Sequence, residues 1–334
     1  MTEEVLVTAR DNALIDPSLH IWTWEVAMYL FLGGLTAGIM IFAALITVRY
    51  KDQVAPFTAA RLALLAPITL SLGMTTLFMD LEHKLFVYRF YTSFHITSPM
   101  SWGAWILIIV YPFSILQILS TLRTGYSFLA AFVDRLTIGR LILDWCERYR
   151  YEIALGVIPF AVMLGVYTGI LLSAFSARPF WNNGVLGILF LVSGMSTAAA
   201  LVVLIARQRS ERELFTRIDL VLILAEIGLV ALMLISLASG SGQHLEALES
   251  IMGGPYTIPF WVLFVGIGLL IPLLLETLEI SGISKALAML APVLVLIGGY
   301  ALRQVVMDAG QESTWTHYDT QYSSEVLQRL QHLD

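Results

Sequence analysis

His20, Trp22, Trp24 and Glu25 lead into the first long apolar stretch, Asp80, Glu82 and His83 close the second, and Tyr167 falls in the fourth. Imidazole, carboxylate and phenol are the side chains that exchange a proton or donate a hydrogen bond to a reacting oxygen. Placed at the ends of apolar runs, they suit acid–base work on a molecule that itself partitions into apolar surroundings. Each has an architectural alternative. Tryptophans at a membrane boundary anchor the interface, Asp80 has Lys84 one helical turn later as an ion-pair partner, and a buried tyrosine can serve only to bond a neighbouring helix.

What must position these groups is a membrane bundle. The chain has 334 residues, 58% hydrophobic and 13% charged, and a mean hydropathy of +0.79, a composition that a soluble domain of this size does not tolerate. Eight apolar stretches, 24–48, 59–80, 100–121, 152–176, 185–206, 218–239, 258–280 and 286–307, each approach the roughly 20 residues that cross about 30 Å of hydrocarbon. They are too long and too uniformly apolar for barrel strands, so their backbones must bond internally as helices. The expected fold is an all-α membrane protein of eight transmembrane helices in two four-helix bundles, 24–176 and 177–307, between an N-terminal segment 1–23 and a tail 308–334. The polar, acidic start lacks the basic flank and cleavable core of a secretory signal, so the first stretch is expected as a retained helix.

Basic residues orient the bundle. Arg10, Lys84, Arg89, Arg178, Arg303 and Arg329 fall on the side of the termini, and the remaining 13 of the 19 Lys and Arg on the other. By the positive-inside rule the arginine-rich face is cytoplasmic and both termini are periplasmic, in a bacterial inner membrane. The net charge of −6 sits mostly in the outer tails and loops, and no basic cluster suggests a nucleic-acid partner. The single Cys146 excludes a disulfide and a cysteine set for an iron–sulfur cluster. His20, His83, His95, His244, His317 and His332 all lie on or near the outer face, unlike the intramembrane histidines that ligate haem in membrane cytochromes b.

Small residues, Gly33, Gly34, Ala37 and Gly38 in the first stretch and Ser193, Gly194, Ser196, Thr197 and Ala198 in the fifth, predict close helix packing. Their similar setting hints at a parallel four-plus-four duplication. Residues 122–151 alternate basic and apolar groups, with Phe128, Phe132, Leu136, Leu141 and Trp145 placed to lie on the membrane surface. Glu226 sits near mid-membrane in the sixth stretch and Glu276 toward the inner end of the seventh. An acid at that depth is costly unless neutral, paired or hydrated. Both are candidates for a proton path or for hydrogen-bonded packing; Glu279, nearer the interface, reads as solvated.

Counting back from Ala177 at about 1.5 Å per residue puts Tyr167 roughly 15 Å below the outer surface, where a lipid-soluble quinone head would meet His20 and Asp80. The run Tyr29-Leu-Phe-Leu-Gly-Gly-Leu-Thr-Ala-Gly38 has this character, as does Met79-Asp-Leu followed by Thr97-Ser-Pro-Met-Ser-Trp-Gly103. With Tyr167-Thr-Gly169 leading to Leu172-Ser-Ala-Phe-Ser-Ala-Arg-Pro-Phe-Trp-Asn182, these runs resemble the NrfD-like family. That is the membrane-subunit family of polysulfide, tetrathionate and cytochrome-linked nitrite reductases and of alternative complex III. The resemblance covers about residues 20–307. It departs after Asp80-Leu81, where many relatives continue Gly-Arg-Pro and this protein has Glu82-His83-Lys84.

The resemblance implies a subunit without haem or cluster that binds menaquinone or ubiquinone. It also implies docking against a ferredoxin-like iron–sulfur subunit with four four-iron clusters, and through it a catalytic or multihaem cytochrome subunit. Tyr167 is similar to the family tyrosine at the quinone head, His20 to its histidine partner and Asp80 to the acidic residue ending the second helix. Acid–base roles are expected for His20 and Asp80 and hydrogen bonding for Tyr167, with Glu25 and His83 nearby in the binding region. Two other classes fit the apolar pattern: a secondary transporter with Glu226 and Glu276 at a midplane site, and a passive anchor for a redox partner. The tail from Asp308 is expected to contact the extramembrane partner.

Overall fold

The computed structural model describes residues 22–49, 53–281 and 289–313. Among the described residues, eight helices long and apolar enough to cross a membrane run back and forth: α1 Trp24–Val48, α2 Leu62–Asp80, α3 Pro99–Leu119, α4 Arg150–Ser173, α5 Leu186–Ile205, α6 Arg209–Ala238, α7 Pro259–Ile280 and α8 Leu290–Glu312. No strand occurs among the described residues. One end of the bundle, here the termini end, carries the start of α1 and the end of α8; the other is the arginine-rich end.

Seven of these spans begin and end within a few residues of their apolar stretches. The sixth does not: α6 starts at Arg209, not 218. The segment Arg209–Arg217 is charged but rich in good helix formers, so the helix projects past the apolar window. A second correction concerns Arg303. Assigned by charge counting to the outer side, it lies inside α8, fully buried, because α8 extends to Glu312 and turns that residue toward the bundle axis.

α1 is the central helix, packed on α2, α4, α5 and α8. The two small-residue runs meet here. A Cβ on Gly38 would strike the Gly194 carbonyl and Ala198, and one on Gly194 would strike the Gly34 backbone, so α1 and α5 approach at backbone contact. In lipid, where apolar burial does not drive helix association, such close packing supplies the attraction. In α7 the stretch Pro259–Leu270 is π-helical before Ile271–Ile280 turns α. The Ile271 N–H bonds Gly266 O, five residues back, next to Pro272, which has no N–H to donate.

Between α3 and α4 the protein forms helices Ser127–Asp134 and Thr137–Arg148. Phe128, Phe132, Leu136, Leu141 and Trp145 are all exposed there, which gives the expected amphipathic surface segment. Arg123 ties it down through Asp134 (2.6 Å), Asp144 (2.7 Å) and Glu147 (2.9 Å). Its guanidinium holds the Asp134 carboxyl below the usual carboxylate range.

One long-range cap at the arginine-rich end joins the connection after α1 to α6. Helix Pro56–Ala60 has Ala55 as its N-cap, which offers no acceptor. The carboxylate of Glu211, fully buried in the first turn of α6, takes that place, accepting from Phe57 N (3.1 Å), Thr58 N (2.7 Å) and Thr58 Oγ1 (2.7 Å). Glu211→Ala orphans all three donors and is expected to cost about 2–4 kcal/mol, read as a lowered unfolding midpoint in detergent. Glu213→Ala removes only an exposed i,i+4 partner of Arg209 and is expected to stay within about 0.5 kcal/mol of the parent; equal effects would reject the cap.

Candidate functional site

Four helices and one connection converge at the termini end on a cleft with an empty volume of about 910 Å³, mouth included. Helical spacing selects its walls. Val26, Tyr29 and Leu30 face it from α1, Met100, Gly103, Ala104 and Leu107 from α3, and Tyr167, Leu171 and Leu172 from α4, each set one or two turns of a single face. Met74, Leu77, Phe78 and Asp80 line it from α2, and the connection after α2 adds Val87, Phe90 and Tyr91. The surface is mostly apolar and aromatic, and its ionisable groups are Asp80 and three tyrosines.

Asp80 is the last residue of α2 and forms no ion pair with Lys84 among the described residues, so its carboxylate remains available to the cleft. Tyr167 is buried on α4, one turn from Leu171. Its ring and hydroxyl lie against Gly103, where any Cβ would overlap them; a glycine in α3 is thus required for the phenol to enter. Tyr29, also buried, neighbours both Tyr91 and Tyr167. Burial, with Tyr91 close to Tyr111, pushes the Tyr91 phenol up, so it stays protonated as a donor.

The mouth is fastened by the segment before α1. Trp22 donates its backbone N–H to Gln311 Oε1 (2.9 Å) and accepts from Gln311 Nε2 at its carbonyl (2.8 Å). Its ring stacks on Trp181 at 5.5 Å and meets Phe175 edge-on at 5.6 Å. Trp181 in turn donates to Val306 O (2.7 Å). Trp22, which lines the cleft, is therefore held by α8 and by the connection between α4 and α5.

The structure brings Asp80 and Tyr167 together. Glu25 is close enough to Asp80 for their charges to interact and accepts a hydrogen bond from Thr23, but it does not line the cleft. His83 sits outside it, edge-on to Phe86 at 6.3 Å. His20 lies outside the described residues, as do His317, His332 and the tail from 314. His244 is a capping residue, its Nδ1 2.9 Å from Ser241 Oγ at the start of helix Gly242–Met252. Tyr29 and Tyr91 join the site only in three dimensions. Tyr29 opens the motif run and stands one helical turn after Glu25, a spacing that could have marked it; Tyr91 lies in an irregular connection with no such signal.

A second polar group lies in the other half of the bundle. Arg303 donates to Ser193 Oγ (2.7 Å), Gly299 O (2.7 Å) and Phe190 O (2.9 Å), and its guanidinium carbon stands 5.1 Å from the centre of the Phe190 ring. Glu226 lies beside Ser193 and Arg303. One turn of α5 further on, Ser196 donates to Asp219 (2.6 Å), whose carboxyl faces Glu276. Asp219, fully buried, is the link between Glu226 and Glu276. An apolar window beginning at 218 hides it, because that window puts Asp219 at the end of the span instead of ten residues inside.

Comparison with known proteins agrees with this architecture. A family described as "Polysulphide reductase, NrfD" matches residues 13–313. "Protein NrfD" of Escherichia coli (strain K12) is 32% identical over 305 residues, 87% of this protein and 95% of that one. A polysulfide reductase component of Wolinella succinogenes is 29% identical over 310 residues, 87% of this protein and 94% of that one. A selenate reductase component of Mesobacillus selenatarsenatis is 24% identical over 344 residues, 92% and 78% of the two proteins. With its eight spans and a match over nearly the whole described length, the chain is a multi-pass membrane protein that belongs to the NrfD polysulphide reductase family.

Proposed function

We propose that this protein is the membrane subunit of a respiratory oxidoreductase complex, exchanging electrons and protons between the quinone pool and an iron–sulfur partner at the termini end. The observation that carries this reading is the cleft: an apolar slot between membrane helices in which a carboxylate and a buried phenol converge. The family is associated with quinones in general, and relatives bear the names of components of multi-subunit reductases. The residues fit a flat, apolar, two-oxygen ligand. Trp22, Phe78 and Phe90 supply aromatic walls, and the missing Cβ of Gly103 admits Tyr167 to the lining.

Bound there, a quinone would supply the two-electron, two-proton redox chemistry. Asp80 is assigned as the group that takes up or returns a proton, and Tyr167 as donor to a ring oxygen. Tyr29 and Tyr91 are further donors, and the Trp22 wall keeps bulk water from the slot. His20, two residues before Trp22 in the sequence, is assigned as a second acid–base group. The connection after α2 exposes Leu85, Phe86, Tyr88, Phe94 and Ile96 beside the mouth, a patch suited to a docked subunit. The basic-residue count supports a periplasmic placement of this end, in a bacterial inner membrane. The series Arg303, Ser193, Glu226, Asp219, Glu276 is the proposed proton path of the second half. Its burial beside Arg303 suits a path better than a transporter's open midplane site.

An azido-quinone photolabel tests the assignment. In the purified complex the label is expected on peptides of 22–30, 77–91, 100–107 or 167–172, and Gly103→Ala, which forces a methyl into Tyr167, is expected to lower labelling about tenfold or more. Label confined to α6–α8 would overturn it, and no specific label at all would favour the passive anchor.

A further inference from the structure

At the arginine-rich end, the last turn of α5, the first turns of α6 and the end of α7 enclose a second cavity, with an empty volume of about 1270 Å³, mouth included. Four guanidinium groups, Arg207, Arg209, Arg212 and Arg217, line it against two carboxylates, Glu213 and Glu279. Arg209 is matched by Glu213 (2.7 Å) and Arg212 spends its Nε on Ala206 O (2.6 Å). Arg207 and Arg217 form no side-chain hydrogen bond or ion pair among the described residues. The cavity therefore keeps unmatched positive charge, a setting that calls for an anion.

Thr216 makes the site specific. It lines the cavity, is 1% exposed, and its hydroxyl has no hydrogen-bond partner among the described residues. Elsewhere in the spans threonines turn the hydroxyl back onto their own helix, as Thr36, Thr47, Thr168, Thr197 and Thr277 do. Thr216 does not, and an orphaned buried hydroxyl is costly unless something in the cavity accepts from it. The N-terminus of α6 also opens here without a side-chain cap, adding the positive end of the helix dipole. A tetrahedral oxyanion, with several acceptor oxygens to share among guanidinium forks and a hydroxyl, matches this donor set.

We propose that this cavity binds a phosphate group, carried by the head of an anionic phospholipid. The site lies where membrane-spanning helices end, and two of its lining residues, Ile280 and Met289, are 44% and 43% exposed. They continue the basic pocket onto the apolar flank, as an acyl tail attached to the phosphate requires. Basic pockets between spans are sites for such heads. Thr216 stands one turn before Asp219 on α6, so an occupant here would brace the helix end next to the Asp219–Glu276 pair.

Native mass spectrometry of the full-length protein in neutral detergent tests this, with dioleoyl phosphatidylglycerol, dioleoyl phosphatidylcholine and inorganic phosphate as probes. Phosphatidylglycerol is expected to bind about tenfold or more tightly than phosphatidylcholine, and the double variant Arg207→Gln/Arg217→Gln to erase that preference. Arg140→Gln/Arg148→Gln, basic but remote, is expected to keep it. Thr216→Val, nearly isosteric and safe for the fold, is expected to weaken phosphatidylglycerol about fivefold while leaving phosphatidylcholine unchanged. Equal binding of the two lipids, or an unchanged preference in the double variant or in Thr216→Val, would overturn the proposal. Displacement of phosphatidylglycerol by an equal concentration of inorganic phosphate would make free phosphate the occupant and overturn the lipid assignment.

Discussion

Asp80→Asn is expected to lower quinol-dependent reduction of the proposed iron–sulfur partner by about 10²–10⁴-fold at matched assembly, the range over which a positioned acid–base group acts. Asparagine keeps the shape of the side chain at the end of α2 but neither accepts nor returns the proton. Tyr167→Phe is expected to cost about 10–100-fold, the worth of one buried hydrogen bond to a reacting oxygen. The phenylalanine ring still packs on Gly103, so the loss isolates the hydroxyl. Both variants leave the Trp22–Gln311 fastening and the α1–α5 contact untouched, and their unfolding midpoints are expected to stay near the parent's. Stopped-flow reduction of the clusters by a short-chain menaquinol measures the effect. Unchanged rates in both variants would reject the cleft and send the search to Glu226 and the second half of the bundle.

Arg303→Met is expected to destabilise the protein by about 3–5 kcal/mol, the cost of stripping the donor from three buried acceptors beside a buried carboxyl group. The guanidinium, fully buried, is the donor to Ser193 Oγ, Gly299 O and Phe190 O and lies beside Glu226. Without it those acceptors are stranded in apolar surroundings, with the Glu226 carboxyl group beside the gap. Glu226→Gln in the same protein removes the ionisable group there, so the double variant is expected to recover part of the loss if the two side chains act together, a coupling read from a double-mutant cycle. Thermal unfolding in detergent and the yield of assembled complex report it. Additive effects of the two substitutions would mean that Arg303 and Glu226 act separately, and the proposed proton path would lose its pairing.

The eight spans, the amphipathic connection after α3 and the meeting of small residues on α1 and α5 were legible without coordinates. A bilayer allows few solutions: each apolar stretch must bond its own backbone, and only glycine and alanine faces let helices touch. Asp80 and Tyr167 were legible as well, because a polar side chain at the end of or inside an apolar run is conspicuous. Tyr29, Tyr91, Asp219 and Arg303 were not, or were misplaced. Hydropathy averages over a window and so reports where a helix lies in the membrane, not which way its faces point. Arg303 counts the same whether it projects to solvent or to the bundle axis, and the charged start of α6 looks like a loop until Glu211 is seen capping a helix more than 150 residues away. The number, length and close packing of the helices thus follow from local hydrogen bonding and side-chain size along the chain. Which polar groups share a cleft, a buried series or a basic cavity depends on the rotation of each helix against its neighbours, and that emerges only when the helices pack.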